Sequence, residues 1–242
     1  SFTKIPPTYS IVTNIDKEHL DYYKSLEVLK KNFINFIEKT PSFGKAFICL
    51  DDKNNMDVIK KISNLNYNTY GINKLSNFKI LNISQKENYS KFDIKINLPG
   101  TKKNFVINIK IPLIGLHNIR NSTAAAAVAF SVGIPVEIIK KGLEKFSGVQ
   151  RRFTKIFSFQ NVTFFDDYAH HPTEITEVLD GVREVYRDKE IICVFQPHRI
   201  SRLKNLHKEF SKSFKKANTV ILCPIYSAGE NIKLGFSYNG FA

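Results

Sequence analysis

The stretch 162–173 decides the fold, and it reads Val-Thr-Phe-Phe-Asp-Asp-Tyr-Ala-His-His-Pro-Thr. Its apolar beginning, 162–165, predicts a strand, and the apolar spacing over 173–186 predicts a helix with Thr173 as its cap. In an open α/β sheet, ligands bind just beyond the carboxyl ends of the strands. The Asp, Tyr and His side chains between this strand and this helix therefore predict a functional site.

The same alternation of strand and helix extends on both sides of this stretch. Strands are predicted at 10–15, 46–50, 69–70, 191–195 and 219–223, and helices at 25–38, 56–65, 117–133, 136–146 and 199–214. Between them the period changes over 78–112, where 92–96 and 105–109 alternate apolar and polar residues, which predicts a hairpin or a small antiparallel sheet. The whole pattern indicates an α/β protein, and a break at 147–152 indicates a domain boundary near residue 150.

The bulk composition excludes several classes of protein. Of the 242 residues, 43% are hydrophobic and 24% are charged, which is typical of globular proteins rather than disordered ones. No run approaches the roughly 20 apolar residues of a membrane-spanning helix. A net charge of +14 could indicate a nucleic-acid partner, but the lysines are scattered through polar faces without a binding motif.

The three cysteines, Cys49, Cys193 and Cys223, each lie in a short apolar run and are predicted to be reduced core residues. We therefore expect a cytoplasmic protein that binds neither nucleic acid nor membrane, with its oligomeric state left open. The chain begins without an initiator Met and stops in loop-like sequence, so we expect it to be a piece of a longer protein.

Two further stretches carry candidate ligand-binding residues. Gly115 allows a tight turn, after which His117, Asn118 and Asn121 would cluster about the start of a helix, although helix capping alone would explain them as well. Arg199 and Arg202 open another predicted helix, after His198. Cations are unfavourable at that end of the helix dipole unless an anion binds, so a phosphate or carboxylate ligand is indicated.

His19 lies between acidic residues after the first predicted strand. From chemistry alone, we interpret it as a partner of Glu18 or Asp21 rather than as a metal ligand, because Mg²⁺ prefers oxygen ligands.

Four motifs occur in a fixed order along nearly the whole chain. They are TNIDKEHLDYY at 13–23, GLHNIRN at 115–121, RRF at 151–153 and DDYAHHPTE at 166–174. In order and spacing they closely resemble the Mur ligase family. The resemblance implies an α/β fold with part of a central P-loop-type ATPase domain, which carries a small antiparallel β element, at 1–149. Part of a Rossmann-like C-terminal domain would follow at 150–242.

The resemblance also implies an activity: an ATP-dependent acid–amino-acid ligase of peptidoglycan precursor synthesis, with UDP-N-acetylmuramate and L-alanine as substrates. ATP would convert a carboxylate to an acyl phosphate, which the amino group of alanine would attack. The family's Gly-Thr-x-Gly-Lys-Thr loop and its UDP-binding domain are not found in the sequence. We therefore expect the chain to be truncated at both sides and inactive alone.

Roles follow from the resemblance residue by residue. His19 would help to hold Mg²⁺, against the interpretation from chemistry alone, although Glu18 departs from the Asp usual at its position. The expected ATP contacts are His117, Asn118 and Asn121 with the adenine side, Arg152 with the terminal phosphates and Asp167 with the ribose. His170, His198, Arg199 and Arg202 would face the acyl phosphate, the alanine or the UDP-sugar.

Within the family, two motifs favour the alanine-adding member over the ligase that attaches murein tripeptide. Residues 196–199 read Gln-Pro-His-Arg, where the tripeptide ligase typically has Glu-Pro-Arg-Ser-Asn, and 225–230 read Ile-Tyr-Ser-Ala-Gly-Glu. The alternatives are the tripeptide ligase or another ligase of this fold, and, from another class, a non-catalytic nucleotide- or RNA-binding protein.

Overall fold

The computed structural model describes residues 2–18, 20–64, 66–100 and 105–230. Contacts divide the chain into two compact units. The first unit comprises Ser1–Ser84, Tyr89–Pro112 and His117–Phe146, and the second comprises Gln85–Asn88, Leu113–Leu116 and Ser147–Ala242.

A six-stranded sheet, in the order β1 to β6, organises the first unit. The strands are β1 Tyr9–Val12, β2 Lys45–Cys49, β3 Tyr67–Gly71, β4 Phe78–Lys86, β5 Tyr89–Ile96 and β6 Phe105–Ile111. Strands β1 to β4 are parallel to one another, whereas β5 and β6 are antiparallel to each other. The predicted antiparallel element is present, but it continues the main sheet, and β4 lies in the same stretch 78–112 although no strand was assigned to its own residues.

The helices of the first unit largely match the predicted pattern. They are a short 3-10 helix Phe2–Lys4, α1 Leu20–Tyr23, α2 Leu26–Glu38, α3 Lys53–Ile59, α4 Leu116–Ser131 and α5 Val136–Lys145. Ser25 caps α2 as predicted, since its side chain accepts a hydrogen bond from the backbone of Val28. Helix α3 begins before residue 56 because Asp52 caps it, accepting from the Asn55 N–H at 2.8 Å.

Among its described residues, the second unit contains two small two-stranded sheets with helices. Its elements are β7 Thr154–Phe159, β8 Val162–Asp166, α6 Pro172–Val185, β9 Ile192–Phe195, α7 Ile200–Asn205, α8 His207–Ser213 and β10 Thr219–Leu222. Strands β9 and β10 are parallel, and β8 pairs antiparallel with β7, which the sequence pattern did not indicate. Helix 199–214 is wrong as a single helix, because the chain leaves helical geometry at Leu206 (φ −119°).

The apolar faces of these elements form the core of each unit. In the first unit, Phe47, Tyr70 and Phe78 are fully buried, and so is Cys49, whose pKa is raised by burial to about 11. In the second, Leu203 and Phe210 are buried among helix and strand residues. Among the described residues, no helix is long and apolar enough to cross a membrane. The predicted α/β fold class is confirmed.

Candidate active site

Asp167 lies in the loop between β8 and α6, where its carboxylate is held by the backbone. One oxygen accepts a hydrogen bond from the Ala169 N–H and the other accepts one from the Phe153 N–H, both at 2.7 Å. Burial raises the pKa of this half-buried carboxyl group above its usual value. Each oxygen can accept a second hydrogen bond, so the arrangement is compatible with binding a hydroxyl group.

Glu174, for which the sequence pattern indicated no role, holds the histidine pair in place. Its carboxylate accepts hydrogen bonds from the backbone N–H groups of His170 at 3.0 Å and His171 at 3.3 Å, and from the Arg152 guanidinium at 3.4 Å. Helix α6 begins at Pro172 with His171 as its cap, so the prediction of Thr173 as the cap is wrong. A Glu three residues after the cap is half of the capping-box pattern, but that pattern has Ser or Thr at the cap, so His171 gave no recognisable signal.

The pKa of Glu174 reflects this position. Burial alone would raise it, but the hydrogen bond from the His170 backbone and the positive charges of His170 and Arg152 lower it below its usual value. The carboxylate is therefore ionised at neutral pH and serves as an acceptor for donors from three residues.

Four rings of the second unit form a row that we call the imidazole row: Tyr168, His170, His198 and Tyr226. Neighbouring ring centroids are 4.9 Å apart for Tyr168 and His170, 5.9 Å for the two histidines, and 5.3 Å for His198 and Tyr226. The guanidinium of Arg151 lies 4.9 Å from the Tyr168 ring. The structure thus brings together two of the candidate residues, His170 and His198, from separate strand-to-helix junctions.

In the part of the chain that the structure describes, His198 has a buried ring nitrogen without a partner. Its Nδ1 atom is buried and has no hydrogen-bond partner among the described residues. Burial lowers the pKa of His198, and the charges of Arg202, His170 and Arg199 lower it further. The imidazole is therefore mostly neutral at neutral pH.

Arg199 and Arg202 lie beside this ring, although not as predicted on one helical turn. Arg199 precedes α7 with a left-handed φ of +70°, and its N–H donates to the Tyr226 carbonyl at 2.9 Å. The Arg202 guanidinium donates to the His198 carbonyl at 3.4 Å. Helix α7 has only six residues, so the guanidinium charges rather than a helix dipole would attract an anion here.

In the first unit, the candidate residues His117, Asn118 and Asn121 occupy the start of α4. His117 and Asn118 are half-buried and Asn121 is exposed. Gly115 precedes them with a φ of +93°, a left-handed conformation that favours glycine, as the predicted tight turn requires.

An ion pair that no sequence motif indicates holds the start of α4 against the ends of β2 and β3. The Arg120 Nε donates to the Asp51 carboxylate at 2.9 Å, and the same carboxylate accepts from the N–H groups of Ile72 and Asn73. A shallow cavity of about 650 Å³ opens beside this pair. It is lined by Leu50, Asp51, Lys53, Met56, Ile72, Asn73, Lys74 and Arg120.

The predicted metal ligand His19 lies outside the described residues. Among those that are described, no group of three or more His, Cys, Asp or Glu side chains could hold a metal ion.

Two family models match the chain. The Mur ligase middle domain matches residues 1–129, and the Mur ligase, glutamate ligase domain matches residues 151–237. The match to both models accounts for the order of the four sequence motifs.

Named relatives match over almost all of the chain. UDP-N-acetylmuramate–L-alanine ligase of Pelagibacter ubique is 64% identical over 242 residues, covering 100% of this chain and 52% of the relative. The enzyme of that name from Bartonella tribocorum is 40% identical, covering 98% of this chain and 50% of its own length. The chain thus spans about half the length of these curated relatives.

Solved structures show the same architecture. The UDP-N-acetylmuramate-alanine ligase of Thermotoga maritima superposes with a TM-score of 0.73 at 27% identity, covering 94% of this chain and 48% of that one. A murein peptide ligase from Psychrobacter arcticus has a TM-score of 0.60 at 23% identity, which is a likeness of fold alone.

Proposed function

Because the chain belongs to the Mur ligase family, we propose that the protein joins L-alanine to UDP-N-acetylmuramate at the expense of ATP. The observation that carries this proposal is the 64% identity over all 242 residues with a relative of that name. The motif at 196–199, which favours the alanine-adding member, lies within the matched region.

The proposed reaction overcomes the poor reactivity of a carboxylate. Attack of an amine on the anion would add charge to a group that is already negative. Transfer of the γ-phosphoryl group of ATP to the substrate carboxylate gives an acyl phosphate with a good leaving group. The amino group of alanine then attacks the carbonyl carbon, and the tetrahedral intermediate collapses to the amide and inorganic phosphate.

In the second unit, the proposed roles follow the geometry of the loop and the imidazole row. Asp167 would accept hydrogen bonds from the ribose hydroxyl groups, and Arg152, fixed by Glu174, would contact the terminal phosphates. The remaining candidates are His170, His198, Arg199 and Arg202. Their imidazole and guanidinium donors suit the acyl phosphate or a substrate carboxylate.

In the first unit, we propose that His117, Asn118 and Asn121 contact the adenine side of ATP. Mg²⁺ stays a prediction, because its proposed ligand His19 lies outside the described residues and those described offer no metal-binding cluster. No step of the proposal is therefore assigned to the metal. We also propose domains at 1–149 and 150–242 and a cytoplasmic location.

The test is phosphate release by the whole protein with ATP, UDP-N-acetylmuramate and a series of amino acids and peptides. We expect release to require both UDP-N-acetylmuramate and an amine, with L-alanine the preferred amine. The His198→Ala variant should lose activity while keeping the urea midpoint of the wild type, because the ring is only half-buried.

Preference for a murein tripeptide would transfer the proposal to the tripeptide ligase. Nucleotide binding without phosphate release under any substrate pair would instead favour a non-catalytic protein. Either result would overturn the proposed function.

A further inference from the structure

We infer that Glu230 is a positioning residue: it fixes the start of α7 and thereby orients His198, Arg199 and Arg202 toward an anionic substrate. This inference rests on the proposed function. It concerns the motif at 225–230, which the proposed reaction leaves without a role.

The two oxygens of Glu230 hold one residue of α7. One oxygen accepts a hydrogen bond from the Ser201 N–H at 2.9 Å, and the other accepts one from the Ser201 hydroxyl at 2.6 Å. A charge-assisted pair of this kind fixes both the backbone and the side chain of its partner. Ser201 lies between Arg199 and Arg202, so the orientation of both arginines depends on this contact.

The same segment, 226–230, also holds the residues before α7. Tyr226 and His198 form a parallel β-bridge, the Arg199 N–H donates to the Tyr226 carbonyl, and the Tyr226 N–H donates to the Pro197 carbonyl, both at 2.9 Å. The Tyr226 ring packs on the His198 ring. The segment thus contacts every residue from 197 to 201 through hydrogen bonds or ring packing.

The left-handed conformation of Arg199 explains why such support is needed. A non-glycine residue at a φ of +70° is uncommon and costs about 1 kcal/mol or more, so the surrounding contacts must maintain it. Tyr226 maintains it from the main-chain side, and Glu230 maintains the helical turn that follows.

The direction in which anion binding changes when the charge of Glu230 is removed tests the inference. Glu230 carries a negative charge near Arg199. Burial is the largest single effect on the pKa of its carboxyl group and raises it. The hydrogen bonds from Ser201 and the attraction of Arg199 lower the pKa, and together they keep it below the usual value. If Glu230 acted only through its charge, removing that charge would strengthen anion binding by the arginines. If it positions them, removal weakens anion binding.

The experiment compares Glu230→Gln with wild type in the whole protein, measuring KM for L-alanine and for UDP-N-acetylmuramate, kcat and the urea midpoint. We expect KM for at least one of these carboxylate substrates to rise by about tenfold, as for loss of a charge-assisted hydrogen bond, with only a small fall in the urea midpoint. Glu190→Gln is the matched control, since Glu190 is exposed on the loop before β9, and should behave as wild type.

The outcomes separate the inference from the proposed function. An inactive wild type would reject the proposed function. An active wild type with equal KM values in Glu230→Gln and Glu190→Gln, or a lower KM in Glu230→Gln, would reject the positioning role. If Glu230→Gln fails to fold, Ser201→Ala decides, because it removes only the hydroxyl contact: a raised KM supports the role and an unchanged KM rejects it.

Discussion

The start of α4 in the first unit and the loop 166–174 in the second carry candidate residues of similar kind, yet different contacts hold them. Arg120 reaches Asp51 across 69 residues of sequence, and Asp51 also binds the backbone of Ile72. In the second unit, Glu174 binds the backbone of His170 only four residues away. The start of α4 depends on the fold of the whole sheet, whereas the loop 166–174 is held largely by contacts between residues that are close in sequence.

This difference predicts how each region responds to substitution. A long-range ion pair forms only when β2, β3 and α4 are all in place, so breaking it should lower the stability of the entire first unit. A capping contact closes a short loop, so breaking it should cost less free energy and act mainly on the local geometry.

The largest effect is expected for Gly71→Ala in the first unit. Gly71 has a φ of +136°, and an added Cβ would lie 2.6 Å from an Asp51 carboxylate oxygen. The variant combines backbone strain with displacement of the ion pair, so the free energy of unfolding of the whole protein should fall by about 3 kcal/mol in urea titration.

Gly142→Ala supplies the matched control for this prediction. Gly142 lies within α5, and an added Cβ would meet nothing within 4 Å. Because alanine is the better helix former, the control should be neutral or more stable by about 0.5 kcal/mol. Equal losses in the two variants would contradict the importance of the Asp51 contact.

A smaller effect is expected for Arg120→Ala, which leaves the Asp51 carboxylate without its cation. The Asp51 side chain is only 10% exposed, but two backbone N–H groups still bind it, so we expect a loss of about 2 kcal/mol. Lys140→Ala, which breaks the surface pair with Glu137, should cost less than about 0.5 kcal/mol. A double-mutant cycle of Asp51→Asn with Arg120→Ala would reveal the coupling, and additive losses would rule it out.

The same contrast explains what could be predicted from the sequence. Ser25 caps α2 as predicted, because a cap and its helix are neighbours in sequence. The ion pair of Asp51 and Arg120 could not be predicted in this way, because the local sequence around either residue does not indicate the other residue. His170 and His198 were each predicted as candidates from their own junctions, but their approach to 5.9 Å depends on how the second unit folds.

The errors in the predicted elements have a similar origin. Strand β7 is mostly exposed, and its apolar residues Ile156, Phe157 and Phe159 do not alternate regularly with polar ones, so its pairing with β8 could not be inferred from its own residues. The break at Leu206 lies within a continuous helical pattern, since Leu203, Leu206 and Phe210 all face the core. Periodicity reports which side chains are buried, and it does not report whether the backbone between them stays helical.

The smallest effect is expected for Glu174→Gln, and its pH dependence identifies the charge as the cause. A carboxylate whose pKa is lowered in the folded protein stabilises it above the unfolded value of 4.5, and this stability is lost as the pH falls through the lowered pKa. The variant should therefore lose about 1 kcal/mol at pH 7, and its difference from wild type should shrink below pH 4.5.

The control for this prediction is Glu184→Gln, on the same helix, where the carboxylate is 55% exposed and pairs with Arg187 at 3.6 Å. The free energy of unfolding of that variant should match that of wild type at pH 7 and at pH 3, because exposed ion pairs contribute little to stability. A Glu174→Gln difference that persists unchanged at pH 3 would mean that the side chain acts through its shape rather than its charge. The local loop would then share with the long-range ion pair a dependence on packing, and the contrast between the two regions would be lost.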